Sequence, residues 1–232
     1  MGGISFVPLT AAYPQTSENR IVSDILDDLA DYVGGGDRPA ANARARRALQ
    51  AAVRWYNTVA WRFQRFRQDI TLVNNTTDYP LAAAFRTPRA ASLLDTSTRM
   101  SGTLIWVPYE DWVRYDGDEV SPATSPETYT CRNVFQTGLV TFLPRLGTIN
   151  TQYPKVRIDY HARITVPASD SSILSVPSEV EEAIVQEAVA IIVAKSRTFA
   201  ESREARVISR DMRATVEREW RDFPDSGQHN EA

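Results

Sequence analysis

Apolar residues recur every third or fourth position at both ends of this chain and every second position between them. From Ser17 to Val33, the residues Ile21, Ile25, Leu29 and Val33 make an i+4 stripe, while Asp24, Asp27, Asp28 and Asp31 crowd the other side. That pattern predicts an amphipathic helix, stopped by Gly34-Gly35-Gly36 because glycine tolerates the left-handed conformation after a helix. Asp37 is placed to cap a second helix, with Pro39 in its first turn. This second helix is expected to reach about Arg65. Ala41, Ala45, Leu49, Ala52, Val53, Tyr56, Ala60 and Phe63 lie on its buried side, and Arg44, Arg46, Arg47, Arg54, Arg62 and Arg65 cover much of the rest. Residues 1–16, with two prolines and little periodicity, read as an extended arm.

The period becomes two from Arg67 to about Asp170. Val156, Ile158, Tyr160 and Ala162 alternate with Arg157, Asp159 and His161, as in a half-buried antiparallel strand. Asn133-Val134-Phe135 and Leu139-Val140-Thr141-Phe142-Leu143 flank a turn containing Gly138, which predicts a hairpin. Thr103 to Val107 is a further strand. Pro177-Ser178-Glu179-Val180-Glu181 then opens a helix, with Ser178 and Glu181 spaced as a capping box. Ile184, Val185, Ala188, Val189, Ile191 and Ile192 make it apolar over much of its circumference. Beyond Phe199 the apolar positions narrow to Ile208, Met212, Val216 and Trp220. An unbroken helix from Ser178 to Arg221 would be about 65 Å long, so a break near Ser196 to Ser202 or a projecting arm is expected. The fold class is α+β: a helical bundle from residues 1–66 and 171–232, with an antiparallel β domain, 67–170, inserted between them.

Charge adds a question about partners. An acidic helix followed by a basic one suggests facing charge, with Arg44, Arg47 and Arg54 against Asp24, Asp28 and Asp31, either between helices or between subunits. The rival reading is contact with a DNA backbone, although aromatic residues are not interleaved as single-strand binding requires. The formal charge of −3 and pI near 5.5 argue against a dedicated nucleic-acid binder. The stripe of Ile208, Met212, Val216 and Trp220 reads either as core or as a docking surface.

Candidate chemistry is sparse. Cys131 is alone, which excludes an internal disulfide, and His161 and His229 are too few for most histidine metal clusters. The glycine run lacks the Gly-Lys-Ser/Thr of a P-loop, and Asp116-Gly117-Asp118-Glu119 lacks EF-hand spacing. No Gly-x-Ser-x-Gly elbow accompanies His161, which is expected on a polar strand face beside Asp159. No catalytic, cofactor-binding or metal residues are assigned, and no enzyme is expected. No apolar stretch is long enough to span a bilayer and no leader peptide is read, so the expected compartment is a reducing cytoplasm.

Several segments, taken in order, carry a resemblance. They are Trp61-Arg62-Phe63 with Asp69-Ile70-Thr71-Leu72-Val73, Asp78-Tyr79-Pro80-Leu81, and Trp106-Val107-Pro108-Tyr109-Glu110-Asp111-Trp112. Gly138 to Pro144, Val156 to Ala162 and Leu174-Ser175-Val176-Pro177 complete the series. Over roughly Ala40 to Ala194 the chain resembles the head-to-tail adaptor (connector) proteins of tailed double-stranded DNA bacteriophages. The resemblance implies a structural virion protein assembled in the host cytoplasm, with about twelve copies in a ring at the head-tail junction. Portal protein would lie on one side and a tail nozzle or tail-tube protein on the other, with genomic DNA passing through unbound. It also implies that the segment from Ile208 to Trp220 meets the portal. A virion-associated cell-wall hydrolase and a DNA-binding packaging factor are the alternatives.

Overall fold

The computed structural model describes residues 5–8, 19–34, 37–115, 123–132, 138–144, 146–196 and 199–222. In chain order the elements are β1 (Ser5–Pro8), α1 (Val22–Val33), α2 (Arg38–Tyr56), β2 (Arg65–Thr71), β3 (Asp78–Pro80), β4 (Phe85–Leu94) and β5 (Met100–Trp106). There follow α3 (Tyr109–Tyr115), β6 (Thr128–Arg132), β7 (Leu139–Leu143), β8 (Lys155–Ala162), α4 (Ser178–Ser196) and α5 (Phe199–Trp220). The fold class is α+β, as the periodicities predict. Two compact units emerge: Met1–Thr10 with Gln64–Arg163, and Ala11–Phe63 with Ile164–Ala232.

The first unit is a mixed sheet in the order β1-β2-β8-β4-β5-β6-β7-β3, antiparallel except where β5 meets β6. Strand β1 pairs with β2, so part of the expected arm is a sheet edge. β8 lies between β2 and β4 and places Val156, Ile158 and Tyr160 in the core, where Tyr160 stacks on Phe85 at 5.0 Å. Its other face carries a charge ladder. Asp69 sits opposite Arg157 and accepts two hydrogen bonds of 2.7 Å, and Arg67 sits opposite Asp159 at 3.2 Å. A slip of two residues either way would set Arg67 against Arg157 or Asp69 against Asp159, so charge fixes the register together with the apolar face.

Polar side chains also hold this unit's irregular backbone. Gln68 is fully buried; its Nε2 donates to the Pro80 carbonyl at 2.9 Å and its Oε1 accepts from the Ala82 amide at 3.0 Å. The Tyr79 hydroxyl accepts from the Val73 amide at 2.9 Å and donates to the Thr76 carbonyl at 3.0 Å, closing the turn before β3. Asp78 accepts from Thr141 at 2.6 Å and pairs with Arg132. Asp78-Tyr79-Pro80 is therefore a structural staple. The expected hairpin appears as β6 and β7, with Arg132 opposite Leu139, whereas Asn133 to Phe135 lies outside the described residues.

The second unit packs α1, α2, α4 and α5 around one apolar core that includes Ile25, Leu29, Leu49, Tyr56, Trp61, Ile184 and Val216. Helix α1 starts at Val22, five residues later than the stripe predicts, because the Val22 and Ser23 amides donate to the carbonyls of Ser172 (2.8 Å) and Asp170 (2.9 Å). Its buried face is Val22, Ile25, Leu26, Leu29 and Ala30, which leaves Ile21 exposed. Asp37 caps α2 through the Ala40 amide, as its position suggests.

α2 ends at Tyr56 and not at Arg65, and Arg62–Gln64 form a separate short 3-10 helix, so Trp61-Arg62-Phe63 is not the end of α2. The Trp61 indole donates to the Tyr56 carbonyl at 2.6 Å, taking the acceptor that a further helical turn would use for Ala60. Asn57 fixes the exit with paired bonds of 2.8 Å to the Ile164 amide and carbonyl. At the other end of the chain, α4 stops at Ser196 and α5 begins at Phe199, the break that helix length demands. The Asp222 amide returns to the Ala60 carbonyl at 2.9 Å, and Trp220 meets Phe63 edge-on.

Candidate interaction surfaces

Arg44, Arg47, Ala51 and Arg54 fall at i, i+3, i+7 and i+10, so α2 presents them on one stripe. This stripe forms a wall of a groove of about 630 Å³, shared with Gln50 and with Ile191, Ile192 and Lys195 of α4. Val33, Ala48 and Ala51 contribute further apolar lining. Among the described residues no carboxylate pairs with Arg44, Arg47, Arg54 or Lys195; Arg47 donates only to its own helix, at the Ala43 carbonyl (3.3 Å).

The acids expected to face these arginines take other partners within the chain. Asp28 pairs with Arg20 at 3.0 Å and Asp31 with Arg38 at 2.6 Å. Asp27 accepts from Asn42 at 3.2 Å, and Asp24 accepts from Ser23 at 3.3 Å. Arg20 also reaches Glu181 and Glu182 on α4. The capping box does not form as spaced: Ser178 is already helical, and the Glu181 carboxylate accepts from Asn19 and Arg20.

The α5 stripe divides. Val216 is buried, Met212 and Trp220 pack against the core, and Ile208 is exposed beside Val207. Ser209 is buried in its place, where its hydroxyl and the Arg213 guanidinium share the Glu187 carboxylate. Arg213 also lies 3.7 Å above the Trp55 ring. Helix α5 is thus tied to its own unit by its second half. Arg203, Arg206 and Arg210 flank the exposed pair, Val207 and Ile208.

A third surface was not foreseen from the sequence. Met100, Ile105, Trp106 and Tyr109 are all exposed, with Ile105 at 67% and Trp106 at 51%. Leu104 and Trp112 point inward from the same segment. The strand pattern marks β5, but nothing in it says that its outer side is uncovered.

Reactive groups are few here. His161, expected on a polar face, is buried at the end of β8, where Tyr160 and Ala162 are buried as well. Burial pushes the Cys131 thiol up to about 12, which leaves it protonated and unreactive at neutral pH. His229 and Asp116 to Glu119 lie outside the described residues. Among the described residues no three His, Cys, Asp or Glu side chains cluster to hold a metal, and no helix is long and apolar enough to cross a membrane.

The chain belongs to the SU10 adaptor protein family, whose description matches residues 21–223. That match agrees with the resemblance read from the segment order and extends it at both ends. No curated protein matches the chain. Among solved structures, the neck of an empty gene transfer agent particle computed with C6 symmetry is similar at 20% identity over 80% of this chain and 82% of that one (TM-score 0.31). The virion of the native gene transfer agent particle matches at 20% over 84% and 86% (TM-score 0.31). The native neck computed with C12 symmetry matches at 19% over 84% and 85% (TM-score 0.31).

Proposed function

We propose that this protein is a non-enzymatic structural subunit of a virion neck, one copy in a ring that joins the portal to the tail and continues the DNA channel. Membership of the adaptor family over residues 21–223 carries this reading. The ring has about twelve copies, with the helices as a bundle and the sheet as an inserted module. The uncovered Ile105, Trp106 and Tyr109 suit a contact with a tail nozzle or tail-tube protein, because exposed aromatic side chains gather where partners bind.

The portal contact is assigned to the first half of α5. Val207 and Ile208 are exposed there between Arg203, Arg206 and Arg210, whereas Met212, Val216 and Trp220 hold the helix to its own core. DNA passes the ring without specific binding, in keeping with the net charge of −3. Electron microscopy of the purified protein mixed with its cognate portal rings tests the assignment. A new layer stacked on the portal is the expected outcome, and its loss in I208D would assign the contact to α5. Bare portals beside free wild-type protein would overturn the adaptor reading.

A further inference from the structure

The helical unit carries two complementary surfaces that do not use each other within the chain. One is the groove on α2 and α4, whose rim holds Arg44, Arg47, Arg54 and Lys195 and whose floor includes Ala48, Ala51, Ile191 and Ile192. The other is the outer face of α1. There Ile21, Asp28 and Tyr32 follow at i, i+7 and i+11, with Asp24 and Asp31 alongside, and all five are exposed. One face is cationic around an apolar floor; the other is anionic around Ile21 and Tyr32.

We infer that the α1 face of one copy docks into the arginine groove of the next copy, with Tyr32 on the apolar floor and Asp24, Asp28 and Asp31 against the rim arginines. Charge complementarity commits the groove to this occupant. A DNA backbone offers phosphates but nothing for an apolar floor, and the concave shape suits a side chain more than a smooth duplex. Asp28 and Asp31 already hold Arg20 and Arg38, but these pairs are solvent-exposed and a carboxylate has lone pairs for a second guanidinium. Because the two patches are different surfaces of one molecule, the contact is heterologous, the kind that closes into rings when its rotation allows. This inference rests on the self-association in the ring reading above and names its seam.

Two variants test it together. R47E/R54E disables the groove, and D24R/D28R disables the α1 face. Each alone is expected to stay monomeric in sedimentation, and to form no layer on portal rings, where the wild type assembles. Mixed in equal amounts they are expected to assemble again in alternation, since the reversed groove of one variant meets the reversed α1 face of the other as the native pair meets. That pairing also shows both variants to be folded. Wild-type assembly with both variants still forming rings would overturn the seam and leave the ring reading intact. So would a groove variant that assembles normally yet loses DNA retention at low salt, which would make the groove a phosphate surface. A wild type that assembles neither alone nor on portals would overturn the ring reading and the seam with it.

Discussion

The two units solve the problem of backbone polarity in opposite ways. In the sheet unit, short strands and irregular turns leave amides and carbonyls that no ladder serves, and the side chains of Gln68 and Tyr79 serve them. In the helical unit the backbone satisfies itself along α1, α2, α4 and α5, so most of the interior is apolar. Glu181, Ser209 and Asp222 are buried polar exceptions, and Asn57 and Trp61 bond backbone at the end of α2. Many of its charged side chains lie at the surface, where they form the arginine groove and the acidic α1 face. Hydrogen bonds specify the sheet unit, and packing specifies the helical one.

The sharpest way to break this contrast is to remove packing from the helical unit. Trp61 is fully buried, stacks between Tyr56 (5.6 Å) and Phe63 (6.1 Å), and stops α2 through its indole N–H. Trp61→Ala is expected to cost about 3–5 kcal/mol, as large aromatic truncations in cores do. Urea unfolding followed by hydrogen exchange of peptides from each unit measures it. If the loss fell mainly on the sheet unit, the contrast between the units would be wrong.

Next in size is the removal of a hydrogen-bonding side chain from the sheet unit. Gln68→Leu keeps the volume but strands the Pro80 carbonyl and the Ala82 amide, at an expected cost of about 1–3 kcal/mol. An unchanged midpoint would mean that packing, not polar satisfaction, holds this unit too. A smaller effect is expected from Asp69→Asn, which weakens a half-buried bidentate pair with Arg157; about 1 kcal/mol is the scale. The double swap D69R/R157D should recover part of that loss if the opposed charges, and not the individual positions, set the register.

How much was legible in the sequence follows the same division. The helices were visible because periodicity reports which face is buried, and Ala41, Ala45, Leu49, Ala52, Val53 and Tyr56 are buried as predicted. Their ends were not visible where the stopping group is distant. Trp61 folding back on Tyr56, and Ser172 meeting Val22, are tertiary events without a local signal. Arg44, Arg47 and Arg54 stood out by composition, but partner choice depends on three-dimensional reach, and Arg38 and Arg20 are the residues that reach Asp31 and Asp28. His161 misled because an alternating strand assigns faces, not depth: it shares its face with the half-buried Arg157 and Asp159 yet is itself buried. The Ile105-Trp106 surface escaped because a strand reads the same whether or not its outer side meets a partner.

The smallest expected effect sets one buried tyrosine in each unit against the other. Tyr56 and Tyr129 both have hydroxyl pKa values raised by burial above the ordinary 10.0. For such a group the unfolded chain ionises first, so the native state keeps its full stability below pH 10 and loses it as pH rises from there toward the folded pKa. Among the described residues the Tyr56 hydroxyl has no hydrogen-bond partner, and a buried hydroxyl in that state costs free energy even at neutral pH. Tyr56→Phe is therefore expected to be neutral or stabilising by up to about 1 kcal/mol at pH 7, and to flatten the alkaline loss of the helical unit alone. Tyr129→Phe should flatten that of the sheet unit. Unfolding midpoints at pH 8 and pH 11, read by exchange in each unit, decide it. If Tyr56→Phe were destabilising at pH 7, the hydroxyl would have a partner, and the helical interior would depend on polar bonds as the sheet unit does.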